Sequence, residues 1–152
     1  MLFRNNSYKK VFTDGAVNEK LGICGLGAVF FNDQDHMIEA VSEFCPLSTN
    51  NQTEYQAVIM ALKYAIQKGF NRLKVYTDSQ TVVQQVIGLA SVKSPSIKNL
   101  HHELILLLQN FKEVDFIHIP RCENEIADAL ANRAIDIWKN GDRHGRKRFK
   151  NI

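Results

Sequence analysis

After about residue 44 the hydrophobic period of this chain switches from that of strands to that of helices, and the two then alternate to residue 138. Val11-Phe12-Thr13 reads as a short strand, followed by Asp14-Gly15 and a polar stretch to Lys20. Leu26 to Phe31 is a second apolar run, closed by the turn cluster Asn32-Asp33-Gln34-Asp35, and Met37 to Phe44 alternates as a third strand would. Runs joined by short turns predict three antiparallel strands. Val58, Ala61, Leu62 and Ala65 then recur at helical spacing, which marks a helix from Gln52 to Lys68, stopped by Gly69. Leu73 to Thr77 is a strand, Ser79 to Val86 a short helix, and Ser91 to Ser96, with Pro95, a loop. Leu100 to Leu108 outlines a third helix, and Val114 to Ile119 a fifth strand before Pro120. The last helix, Glu123 to Trp138, sets Ala127, Leu130, Ala131, Ala134 and Trp138 on one face. The order β-β-β-α-β-α-α-β-α predicts an α/β fold with a mixed five-stranded sheet flanked by helices.

An apolar fraction of 45% in 152 residues suits one core and is too high for a disordered chain. The charge divides unevenly along the chain. Residues 139–152 carry six basic side chains (Lys139, Arg143, Arg146, Lys147, Arg148, Lys150) against Asp142, so the first 138 residues hold 13 basic and 15 acidic groups, a net of −2. The expected organisation is a folded domain over residues 1–140 and a basic, flexible tail over 141–152, the latter a candidate nucleic-acid arm. No apolar run approaches the roughly 20 residues that cross a bilayer, and Met1 to Asn6 lacks the apolar stretch of a signal peptide. Cys24, Cys45 and Cys122 have neither disulfide-framework nor zinc-ribbon spacing. A cytoplasmic, monomeric protein with no membrane association is expected.

Four acids stand out by position. Asp14 follows the first strand, Glu54 opens the first helix, Asp78 ends the fourth strand and Asp128 lies early in the last helix. If strands 1 and 4 are parallel neighbours, Asp14 and Asp78 emerge together at the carboxyl edge, where open α/β sheets place their sites. Crowded carboxylates repel and raise one another's pKa unless cations neutralise them, and all-oxygen ligands suit Mg²⁺ or Mn²⁺. Each acid also has a structural reading: Asp14-Gly15 as a turn, Asn51-x-x-Glu54 as a capping box, Asp78 as a helix N-cap, Asp128 as a solvated helix residue.

Phe12-Thr13-Asp14-Gly15-Ala16, Thr49 to Ala57, Tyr76-Thr77-Asp78-Ser79-Gln80 and Asn124 to Ala131 stand in an order that resembles the four signature segments of type 1 ribonuclease H. The resemblance spans Lys10 to Ile137, and Ile119-Pro120-Arg121-Cys122-Glu123-Asn124 is similar to the archaeal, bacterial and plant reverse-transcriptase-like branch. It implies a ribonuclease H-like fold with strand order 3-2-1-4-5, and two-metal-ion endonucleolytic hydrolysis of RNA in RNA–DNA hybrids that leaves 5′-phosphate and 3′-hydroxyl ends. By the same resemblance Asp14 would bridge two Mg²⁺ ions, with Mn²⁺ as a substitute, and Asp78 would share them. Glu54 would hold the leaving-group ion and Asp128 the ion that activates water. Asn50, Asn51 and Gln80 match minor-groove contacts, and Thr49 matches a contact near a DNA phosphate. A wide minor groove exposing 2′-hydroxyls makes such contacts reasonable.

The chain departs from many relatives in two places. No His lies between Ile119 and Ala127, where many carry one that assists proton transfer or product release; His118 lies upstream and reads as a structural strand residue. This bears on rate, since a metal-bound water needs no side-chain base. Arg121 is the nearest cation to the site, as a carboxylate or phosphate partner or as an ordinary surface residue. The interval between Asp78 and Asp128 also lacks Trp and carries only Lys93, Lys98, Lys112 and Arg121 as cations, so it offers no basic protrusion. The tail residues Arg143, Arg146, Lys147 and Arg148 are the candidate replacement grip. The alternative to an enzyme is a catalytically weak or silent module binding hybrid or double-stranded RNA. Gly22-x-x-Gly25-x-Gly27 precedes a strand and is read as permitting close turns, without a dinucleotide site.

Overall fold

A computed structural model describes residues 7–141 and the backbone strand Arg146–Lys150. The elements run β1 (Lys9–Asn18), β2 (Ile23–Phe31), β3 (Met37–Pro46), α1 (Asn50–Lys68), β4 (Arg72–Thr77), α2 (Gln80–Val86), α3 (Pro95–Leu108), β5 (Glu113–His118), a 3-10 turn (Arg121–Glu123), α4 (Glu125–Lys139) and β6 (Arg146–Lys150). The sheet order is β5-β4-β1-β2-β3-β6. β1–β2–β3 are antiparallel, and β4 and β5 continue the sheet in parallel from β1, so the expected 3-2-1-4-5 order is present.

The sheet has a sixth strand where a flexible tail was expected. β6 pairs antiparallel with β3, with Arg146 opposite Glu43 and Lys150 opposite Glu39 in the register. Residues 142–145, and with them Arg143, lie outside the described residues.

α1 covers one face of the sheet, with α3 packed against α1, and α4 covers the other. Val11, Phe30, Val41, Val58, Leu62, Leu73, Val75 and Leu104 form the larger core, while Val29, Ala40 and Leu130 centre a smaller one to which Phe12, Phe31 and Met37 add. Because helices cover both faces, Ile23 to Phe30 of β2 is buried without interruption. This is why its sequence reads as a continuous apolar run.

Local chemistry sets the helix boundaries. Thr49 caps α1: its side chain accepts the Gln52 N–H, and the Gln52 side chain accepts the Thr49 N–H in return, a complete capping box two residues before the one read at Asn51–Glu54. Gly69 ends the helix at φ 76°, a conformation that favours glycine. Pro95 lies in the first turn of α3, where its missing N–H is harmless, so the segment read as a loop is partly helical. Ser79 caps α2 by accepting the Val82 N–H, which frees Asp78 from that task.

Candidate active site

β1 continues through Asp14 to Asn18, so Asp14-Gly15 is strand interior and not a turn. Gly15 answers a packing demand. A Cβ there would lie 2.6 Å from Thr53 Cγ2 and 3.0 Å from the Thr53 backbone, so its absence lets α1 cross β1 closely. That approach brings Glu54 to β1, where the Gly15 N–H donates to Glu54 Oε1 at 2.6 Å and to Asp14 Oδ1 at 3.0 Å. Gly25 and Gly27 do the same for α4. A Cβ at either would overlap a carbonyl oxygen of that helix, Ala131 or Ala127 respectively. Both lie within β2, so the glycine motif serves helix–sheet contact, and only Gly22, at φ 71°, serves a turn.

One carboxylate oxygen from each of Asp14, Glu54 and Asp78 lies within 4.8 Å of the others. Asp14 is buried at 6% exposure, Glu54 and Asp78 are partly buried and Asp128 is exposed. Asp128 joins Asp14 and Glu54 along a cleft of about 430 Å³ that Gly15, Asn50, Arg121 and Asn132 also line. Thr49, Asn51 and Gln80 are exposed at helix starts and do not line the cleft, Thr49 and Asn51 flanking Asn50 and Gln80 opening α2. Arg121 stands on the cleft wall in the 3-10 turn. His118 closes β5 opposite Thr77 in the register, as its reading as a strand residue expects, with its side chain exposed.

Two asparagines at the site went unassigned in the sequence. Asn124 Nδ2 donates to the Thr13 carbonyl at 2.9 Å and to Asp78 Oδ2 at 3.2 Å. Asn132 Nδ2 donates to the Asp128 carbonyl at 3.0 Å and to Asp128 Oδ1 at 3.3 Å. The available signals were weak: Asn132 stands four residues after Asp128, on the same helix face, and Asn124 lies inside a quoted segment.

The acids disfavour one another's charge. Burial, then the Asp78 carboxylate, pushes the Asp14 carboxyl from 3.8 up to about 7. Burial, then the charges of Asp14 and Asp78, raises Glu54 from 4.5 to about 9. All-oxygen donors with this spacing and charge fit a hard divalent cation.

A pH dependence follows for the metal-free protein. Both folded-state values lie above the unfolded ones, so the native state holds protons that the unfolded chain has released. The stabilisation is complete below about pH 4 and is lost as pH rises through about 7 to 9. Melting in chelator should fall across that window, and saturating Mg²⁺ should raise it most at the alkaline end. A metal effect independent of pH would contradict the coupling.

Comparison with known proteins sets the chain among similar sequences and structures. A family described as reverse transcriptase-like matches residues 12–134. Ribonuclease HI of Halobacterium salinarum is 34% identical over 125 residues, covering 82% of this chain and 63% of that protein, so the chain spans less than two thirds of that relative's length. The crystal structure of RNase H1 from the halophilic archaeon Halobacterium salinarum NRC-1 superposes with TM-score 0.82 at 32% identity, over 85% of this chain and 98% of that one. LC11-RNase H1, solved in complex with an RNA/DNA hybrid, gives TM-score 0.81 at 29% identity over 86% and 99%.

Proposed function

This chain belongs to the type 1 ribonuclease H family, and we propose that it is a metal-dependent endoribonuclease that hydrolyses the RNA strand of RNA–DNA hybrids. The observation that carries the reading is the meeting of Asp14, Glu54 and Asp78 within 4.8 Å, with Asp14 and Glu54 on a cleft that Asp128 also lines. The four carboxylates would hold two Mg²⁺ ions, or Mn²⁺ in their place. So held, the ions would supply a lowered pKa for the attacking water and positive charge to offset that developing on the phosphate, consistent with 5′-phosphate and 3′-hydroxyl products.

The chain's own residues supply order. The Gly15 N–H holds Glu54 against β1, Asn124 holds Asp78, and Asn132 holds Asp128. Asn50, on the cleft wall, would meet a ribose 2′-hydroxyl in the minor groove, with Asn51 and Gln80 flanking it and Thr49 nearest the DNA strand. Arg121, on the same wall, would meet phosphate. The hybrid bound in the LC11-RNase H1 structure supports the substrate class.

We assign a second grip to Arg143, Arg146, Lys147 and Arg148. The β3–β6 register supports it, because Arg146 pairs with Glu43 in the half of β3 that runs toward the active-site end of the sheet. Replacing Arg146, Lys147 and Arg148 by Gln should weaken hybrid binding and reduce its salt slope by about 1 for each phosphate left without its cation. Equal binding at low and moderate salt would remove the tail from the interface.

The protein is further proposed to act as a monomer in a reducing, cytoplasmic compartment. Among the described residues no helix is long and apolar enough to cross a membrane. Cys24 and Cys45 remain thiols although they are register partners across β2 and β3. A side-by-side panel of hybrid, double-stranded RNA, single-stranded RNA and duplex DNA, each in Mg²⁺ and in Mn²⁺, tests the substrate assignment. Preferential cutting of the hybrid is expected; binding of hybrid with no cutting in either metal would make the chain a silent module.

A further inference from the structure

Asn124 sits at the start of α4 and is 1% exposed. Asparagine is among the residues most favoured at a helix N-cap, because its side-chain oxygen accepts a first-turn N–H. At α4 it makes no such bond, and its φ of −120° and ψ of 29° are not those of an ordinary cap. Among the described residues its side-chain oxygen has no hydrogen-bond partner, although it is buried. A residue kept for stability alone would use that oxygen.

The amide nitrogen is used instead. It donates at once to the Thr13 carbonyl, one residue before Asp14, and to the Asp78 carboxylate. The Asn124 backbone carbonyl meanwhile accepts the Asp128 N–H at 3.1 Å, the bond that starts the helix carrying the fourth acid. One side chain and its own backbone therefore touch β1, the end of β4 and α4 at the point where three of the four carboxylates converge. The donor is also neutral, so it holds Asp78 without cancelling the negative charge that a cation requires. A Lys or Arg in its place would compete with the cation.

We infer that Asn124 is a positioning residue for the metal site, fixing the Asp78 carboxylate relative to Asp14 and Asp128. The inference rests on the reading of these acids as cation ligands. Outer-shell partners of metal ligands typically contribute about 10- to 100-fold in metal affinity. Titration calorimetry with Mn²⁺, together with metal-free melting, on the unmodified chain, Asn124→Ser and Asn124→Ala tests it. Serine is a favourable helix cap but too short to reach Asp78, so Asn124→Ser keeps the helix start while deleting the bond. It should bind Mn²⁺ about 10- to 100-fold more weakly, with metal-free melting lowered modestly by loss of the Thr13 contact but still cooperative. At saturating metal its KM for hybrid should change far less than its metal affinity. Unchanged Mn²⁺ affinity in Asn124→Ser overturns the inference. So does a loss of affinity that tracks a collapse of metal-free melting in both variants, which would make Asn124 a packing residue. Absence of Mn²⁺ binding by the unmodified chain would instead overturn the underlying metal reading.

Discussion

Asp14→Asn is expected to abolish hybrid cleavage and, in the metal-free protein, to raise the melting temperature. Asp14 has the least exposed surface of the four acids and lies against both Glu54 and Asp78, so above about pH 7 its charge adds to the repulsion on both. Asparagine keeps the shape and, with its oxygen toward Gly15, keeps the bond from that N–H. What disappears is one negative charge from a repelling cluster, which relieves Glu54 and Asp78 while removing a ligand oxygen's charge. The expected fall in kcat is about 10³-fold or more, by comparison with other losses of transition-state charge stabilisation. Steady-state cleavage of a labelled hybrid and calorimetric melting in chelator read the two effects separately. Retained activity would remove Asp14 from the chemistry. Reduced melting would show that its charge is compensated within the fold.

Gly27→Ala is expected to damage both stability and activity. The added methyl would overlap the Ala127 carbonyl and lie 2.6 Å from the Ala131 nitrogen, both backbone atoms of α4 that cannot rotate away. The helix must move, at a cost of about 3 kcal/mol. Because Asp128 follows Ala127 directly, displacement of the helix also displaces a site carboxylate, so kcat should fall together with stability. Gly88→Ala is the control. Its methyl would meet open space, and its cost, about 1 kcal/mol, comes from a φ of 87° alone, with kcat unchanged. Urea unfolding and single-turnover cleavage of both variants check the contrast. Equal costs, or an active Gly27→Ala protein, would contradict the close-contact account.

The site was legible where residue type and element position coincide. Asp14 and Asp78 needed only the parallel pairing of β1 and β4 to meet, and Glu54 was marked by its place at the start of a strongly periodic helix. Asp14 was found from its place after the first apolar run, although β1 in fact continues past it; the competing turn reading of Asp-Gly fails because the glycine answers the approach of α1, a tertiary demand that no local pattern encodes. The glycines of β2 were misread as turn-formers on the same ground. Capping was displaced by two residues because Asn51-x-x-Glu54 and Thr49-x-x-Gln52 both satisfy the pattern, and only the backbone decides between them. β6 escaped because Arg146-Lys147-Arg148-Phe149-Lys150 has no apolar alternation, and its strand conformation depends on the open edge of β3, far away in sequence. Asn124 and Asn132 escaped because orienting a carboxylate needs a direction, which spacing alone does not supply.

The most direct test of the account is the fate of an end-labelled RNA strand, paired with DNA, incubated with this chain in Mg²⁺ and analysed for its products. The account predicts internal cuts in the RNA strand alone, each leaving a 3′-hydroxyl and a 5′-phosphate, with none in chelator and none by the Asp78→Asn variant. An intact RNA strand under conditions where the hybrid is bound, or products ending in 2′,3′-cyclic phosphate, would contradict it.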